Sequence, residues 1–179
     1  MLLCANLNAL VLDYVARQKI QSRNLNAYIA EQLPVVAQEE YARRFGERTA
    51  AEIVEDCVLR LTYTAHDMTA FARDMRYVDS EGNVKPPIVW DEAERRQLRA
   101  RLDALYFILY GVTDENDIRY ILSTFPIVER KDRAAHDGCY LTAELILWHK
   151  RALEAGDPDA LAPEADLIRA DRAAKARAA

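Results

Sequence analysis

Along most of the chain, hydrophobic positions recur every three or four residues, the spacing of amphipathic helices. The clearest run lies in 90–133, where Leu98, Leu102, Leu105 and Leu109 share one face. Arg95, Arg96, Arg99 and Arg101, interleaved with Glu92, Glu94 and Asp103, fall on the opposite face. Asp91 stands where an N-cap is needed, with Glu94 three residues on, and Gly111 stops the helix. Thr113 is placed to cap a second helix with Asp114 and Glu115 in its first turn, and Pro126 is expected to end it. The pattern predicts a helical hairpin over 91–125, left by a charged turn at 129–133.

Upstream, Leu3, Leu7, Leu10 and Tyr14 share a face over 2–15, and Val11, Leu12 and Val15 widen it. A first helix this apolar needs neighbours on several sides. A polar, basic segment follows, with Asn24 in N-cap position for a short helix carrying Leu25, Tyr28, Ile29 and Leu33. Pro34 closes that helix, and an extended exit is expected over 34–37. Tyr41 and Phe45, four apart in a charged stretch, predict a short surface helix ended by Gly46. Thr49 and Glu52 then form a capping box for a central helix expected to reach about Met75, with a polar cluster at 62–67 able to break it. Glu81-Gly82-Asn83 and Pro86-Pro87 mark a loop. Leu141, Leu145, Trp148 and Ala152, flanked by Ile146, His149 and Leu153, make a last firm helix stopped at Gly156 and Pro158. In the Ala-rich remainder, Leu161, Leu167 and Ile168 are positioned to dock a short helix ahead of a frayed end. The fold class read from this is mainly α, an irregular helical bundle with minor strand content near the N-terminus. It divides into an edge segment at 1–37, a helical domain at 38–155 and a partly docked tail at 156–179.

Composition narrows the function. Only 5 glycines in 179 residues favour helix over sheet. No run of about eighteen apolar residues exists, so no membrane-spanning helix is expected, and the opening stretch lacks the basic flank and cleavage site of a signal peptide. Three widely spaced cysteines, Cys4, Cys57 and Cys139, suit a reducing cytoplasm rather than a disulfide scaffold. A formal charge of −5 argues against affinity for nucleic acid over the whole surface, leaving room for a local basic face.

No catalytic signature is complete. A glycine-rich cofactor motif, an Asn-Pro-Pro-Tyr-type tetrad and a phosphate loop are all missing, so no catalysis is expected from this chain alone. His136, Cys139 and His149 offer three metal-ligand types but lack a neighbouring fourth, and no metal is expected. Glu129-Arg130-Lys131 after Ile127-Val128 has the form of half a nuclease motif, without the aspartate such a motif needs on a preceding strand. Asp67 and Asp74, seven apart, are read as sharing a helix face. The basic residues carry more information as sets. Arg17, Lys19 and Arg23 occur with Gln18, Asn24 and Asn26, side chains that contact phosphates and base edges. Arg130, Lys131 and Arg133 form the second set.

The segment LNALVLDYVARQKIQSRNLNAYIAEQLPVV resembles the end of the target-recognition region in adenine-N6 DNA methyltransferases of restriction-modification and phage-defence systems. Further on, LRLTYTAHDMTAFARDM and PPIVWDEAERRQLRARLDALYFILYGVTDENDIRYILSTFPIVERKD resemble the helical C-terminal part of the same proteins. The blocks run in the same order and cover most of 7–147. The resemblance implies a non-catalytic segment that helps hold and read double-stranded DNA while an upstream methyltransferase domain or subunit, using S-adenosylmethionine, flips out the adenine. It points to Arg17, Lys19, Arg23 and Asn24 as DNA contacts, with Arg130 and Lys131 as a second group. Two departures stand out. Ile20-Gln21-Ser22-Arg23 replaces the family's Gly-Gly-Thr turn, and Tyr140-Leu141-Thr142-Ala143-Glu144 replaces a basic Tyr-Arg-Thr-Lys-Arg. The rival reading is a helical interaction module that docks a partner subunit through its apolar first helix.

Overall fold

The computed structural model describes residues 1–20 and 25–178. It is mainly α-helical, as the periodicity predicts. In chain order the helices are α1 (Leu2–Leu7), α2 (Leu10–Lys19), α3 (Ala27–Ala30), α4 (Ala50–Thr62), α5 (Thr69–Asp74), α6 (Glu92–Leu109), α7 (Glu115–Ser123), α8 (Pro126–Ala135), α9 (Leu141–Glu154) and α10 (Glu164–Ala178). Between α3 and α4, β1 (Arg44–Phe45) and β2 (Arg48–Thr49) pair antiparallel, with Phe45 opposite Arg48.

The longest helix, α6, is the centre. Its side chains at Ala104, Leu105, Tyr106 and Phe107 are all fully buried, so neighbours surround it on more than its leucine stripe. Its chief partner is α9 rather than α7, the helix that follows it in the expected hairpin. Leu141, Leu145 and Ile146 of α9 share one core with Leu98, Leu105 and Ile108 of α6, and with Ile53, Val54 and Cys57 of α4. The capping box at the start of α4 is formed as expected. The Thr49 hydroxyl accepts from the Glu52 amide at 3.3 Å, and the Glu52 carboxylate accepts from the Thr49 amide at 2.7 Å.

Several expected boundaries move, each for a tertiary reason. The first helix is split at Ala9, whose extended backbone frees the Leu10 amide to donate to Asp103 Oδ1 across the fold at 2.8 Å. Asn6, which interrupts the apolar run in sequence, is buried. It donates to the Tyr110 hydroxyl at 2.8 Å and accepts from the Val36 amide at 2.8 Å. Tyr41 and Phe45 do not lie on a surface helix: they are buried, on a single 3-10 turn and a strand respectively. The Tyr41 and Tyr106 hydroxyls stand 3.2 Å apart, and Tyr106 donates to the Leu2 carbonyl at 3.1 Å.

The central helix ends at Thr62, within the polar cluster. Asp67 on a 3-10 turn and Asp74 at the end of α5 therefore belong to different elements rather than one helix face. Asn26, and not the expected Asn24, caps α3; Asn24 lies outside the described residues. Asp114, one residue past Thr113, caps α7. Pro126 opens α8 at its first turn instead of merely ending α7, because a proline needs no amide partner there. The expected charged turn at 129–133 is thus helix. In the tail, Leu161 is exposed while Ala162 takes the buried place beside Leu167 and Ile168, and α10 runs on to Ala178.

Candidate functional site

Two members of the first basic set, Arg17 and Lys19, sit at the C-terminal turn of α2, where lysine and arginine are favoured by the unpaired carbonyls. Arg17 is exposed but held in place. Its Nε and Nη2 donate to the two Asp13 oxygens at 2.9 and 2.8 Å, and its guanidinium lies 4.5 Å from the Phe125 ring centre. The hydrogen-bonded Asp13 carboxylate raises the Arg17 pKa above its ordinary value. Lys19 is exposed on the same turn. Arg23 and Asn24 lie outside the described residues. Arg130 and Lys131 are exposed on α8, and among the described residues neither has an ion-pair partner. Their neighbour Arg133 is tied to Glu129 at 2.6 Å, one helical turn away. Because Phe125 immediately precedes α8, the Arg17–Phe125 stack sets the end of α2 beside the start of the helix that carries Arg130 and Lys131.

The other candidate chemistries come apart. Glu129-Arg130-Lys131 is mid-helix, so the strand end required by a nuclease motif is missing. His149 lies in the α6–α9 seam with Nε2 at 2.9 Å from Gln97 Oε1, and burial pushes its pKa down to about 3. Burial likewise pushes the Cys57 and Cys139 thiols up to about 11, well away from reactive thiolates. Among the described residues no group of three or more His, Cys, Asp or Glu is placed to hold a metal ion.

Pattern reading missed a groove of about 870 Å³ between the α1–α2 junction, α4, α6 and α8. Arg95, Arg99 and Asp103 line it from α6 at helical intervals, and Lys131 and Asp132 face it from α8. The only sequence signal for it is the run of charged positions at intervals of three and four on α6, which reads equally well as a solvated face.

Asp103 is half-buried in this groove. Desolvation drives its pKa up to about 7, against the opposing pull of the Leu10 amide and the Arg99 charge. The folded protein therefore binds a proton more tightly at this site than the unfolded chain does. The contribution to stability is full below about pH 4 and is lost as pH rises through about 7. Asp103→Asn keeps an oxygen for the Leu10 amide and removes the buried charge. It is expected to raise stability at pH 8 by about 1–2 kcal/mol, about 2–8 °C in melting temperature, and to have little effect at pH 4. Thermal melts at the two pH values check this, and an equal shift at both would rule out the titration.

No family model, curated protein or solved structure matches the chain. Among the described residues, no helix is long and apolar enough to cross a membrane.

Proposed function

We propose that this chain is the non-catalytic C-terminal DNA-recognition and scaffold segment of an adenine-specific DNA methyltransferase or restriction-modification enzyme, working in the cytoplasm. The observation that carries the reading is the way the family-like blocks interlock. Tyr14 meets Tyr120 edge-to-face with ring centres 6.5 Å apart, and Arg17 lies over Phe125. The Leu10 amide bonds Asp103, and the Tyr110 hydroxyl donates to the Pro34 carbonyl at 2.7 Å. Blocks that resemble one family in the same order thus also make one packed unit, with exposed cations at Arg17, Lys19, Arg130 and Lys131 around their junction. Catalysis and the S-adenosylmethionine site belong, in this reading, to a methyltransferase domain or subunit that this segment adjoins.

Double-stranded DNA is the ligand to test. Gel shifts at several salt concentrations, with this chain and with it joined to a methyltransferase partner, are expected to show binding that weakens as salt rises. Arg130→Ala with Lys131→Ala is expected to lower the salt slope by about 2, since each lost phosphate contact removes about one unit. Binding that ignores salt, or no binding in either form, defeats the DNA role. The alternative, a module that docks a partner subunit through its first helix, draws on Leu3 and Leu7, which are 56% and 52% exposed on α1. A stable partner complex formed without DNA contact, and lost in Leu3→Ser, would select it.

A further inference from the structure

Helix α10 is fastened differently at its two ends. At its start, Gln97 and Arg96 donate to Glu164 at 2.9 and 3.0 Å, and both backbone groups of Ala162 bond the buried Gln97 amide. Pro163 stands between these two anchors. Beyond them α10 lies along α9 with little apolar cover. Leu167 and Ile168 are half-buried, and from Arg169 onward every apolar residue is an alanine.

The far end is held by charge. Arg172 pairs with Asp137, and both side chains are exposed. Lys175 donates to the Gly138 carbonyl at 2.7 Å, an oxygen that also accepts from Arg133 Nη1 at 2.6 Å. Lys175 has a second partner in Asp171, one turn back on α10 itself. Lifting α10 therefore leaves no polar group of this latch without a partner: Gly138 keeps Arg133, Lys175 keeps Asp171, and Arg172 and Asp137 meet water. Exposed contacts of this kind hold weakly and are screened by salt. Rich in alanine, arginine and lysine, the released segment keeps a high helix propensity and moves as one rod.

Under this end lies Cys139. It follows Gly138 in the turn, is 1% exposed and shares the core against which Leu167 and Ile168 pack. Burial, and after it the nearby Asp171 carboxylate, raise its pKa, so the thiol is both covered and protonated while α10 is down. We propose that α10 is a lid over Cys139, pivoting at Pro163 about the Gln97 strap, whose latch on Asp137 and Gly138 opens while the rest of the bundle stays folded. This is separate from the DNA reading, none of whose contacts lies on α10.

Alkylation by N-ethylmaleimide, followed at each cysteine by peptide mass spectrometry, tests this directly. Cys4 is exposed and Cys57 is buried in α4, so the three thiols report the open surface, the lid and global unfolding. Cys139 is expected to react more slowly than Cys4 but at least about tenfold faster than Cys57. Ile118, fully buried on α7, supplies a change that weakens the lid-closed and lid-open forms alike. Ile118→Val is expected to speed Cys57 about two- to tenfold and to leave Cys139 unchanged. Arg172→Ala with Lys175→Ala removes the latch and keeps good helix formers, and it is expected to speed Cys139 about three- to tenfold. Raising sodium chloride from about 0.05 to about 1 M is expected to speed Cys139 in the unaltered protein and not in that double variant.

Equal rates for Cys139 and Cys57, or a Cys139 rate that rises with Cys57 in Ile118→Val, would mean that the thiol is reached only by global unfolding and overturns the proposal. A Cys139 rate that matches Cys4 would mean that α10 does not cover the thiol. A rate unmoved by the double variant would mean that the latch does not hold the lid. Either of these overturns it as well.

Discussion

Gly46→Ala is expected to be among the most destabilising single-methyl additions in this protein, costing about 2–4 kcal/mol. Gly46 forms the turn between β1 and β2 with φ +61°, a left-handed conformation that already costs an alanine about 1 kcal/mol. The larger part is steric. A Cβ there would overlap the carbonyl oxygen of Gly156, which sits just past the end of α9. Both are backbone positions, so neither partner can swing aside as a side chain would. Gly156→Ala is the internal control. Its φ is also positive, +81°, but its Cβ would meet only Gly46 backbone atoms at 3.5 Å, an ordinary contact. It is expected to cost about 1 kcal/mol. Urea titrations of the two variants check the order, and equal losses would show that the close approach of the two backbones does not matter.

The second large effect is expected at Gln97. This buried amide uses all of its hydrogen-bonding capacity. Oε1 accepts from the Ala162 amide at 3.0 Å and faces His149 Nε2 at 2.9 Å. Nε2 donates to the Ala162 carbonyl at 3.1 Å and to Glu164 Oε1 at 2.9 Å. Nearby, the buried Arg101 donates to the carbonyls of Asp159 and Ala160 at 3.3 and 3.1 Å. These two side chains strap the segment leading into α10 onto the α6–α9 seam. Gln97→Ala leaves the Ala162 amide and one ring nitrogen of His149 without partners, and leaves the Ala162 carbonyl with the Glu164 amide alone. It is expected to cost about 2–4 kcal/mol and to release α10 before the rest unfolds. Hydrogen exchange of the α10 amides, measured beside the global melt, checks this; unchanged protection of α10 would show that the strap is held by other contacts.

The same seam sets an acid limit. With the His149 pKa depressed to about 3 by burial, the unfolded chain binds the proton more readily than the folded one. The stability gained by keeping the ring neutral is present above about pH 6.5 and is lost as pH falls towards 3. That slope opposes the one from Asp103, which acts between about pH 4 and 7, so Asp103→Asn is expected to expose the histidine slope in a pH series.

What the sequence determines by itself is what depends on neighbours along one helix. The periodic leucines of α6, the capping pair Thr49 and Glu52, the Asp91 cap and the stop at Gly111 involve partners within a few residues, so local spacing specifies them. Mainly helical character was legible for that reason, as were α6, α9 and the outward placing of Arg17, Lys19, Arg130 and Lys131. What depends on contacts distant in sequence was not legible. Arg101 looked like one more member of a charged face until the carbonyls of Asp159 and Ala160 gave it a buried site. Asn6 looked like an interruption until Tyr110 and Val36 supplied its partners. Tyr41 and Phe45 suggested a surface helix by their spacing of four, but burial against α4 and α6 places them in the core. For 90–133, the apolar face of α6 was written in the chain, while the partner it chose was not. Leucine spacing says that a face must be covered, and it carries no record of which helix covers it. Tertiary packing assigned that role to α9 and left the charged row of α6 to wall a groove with α8.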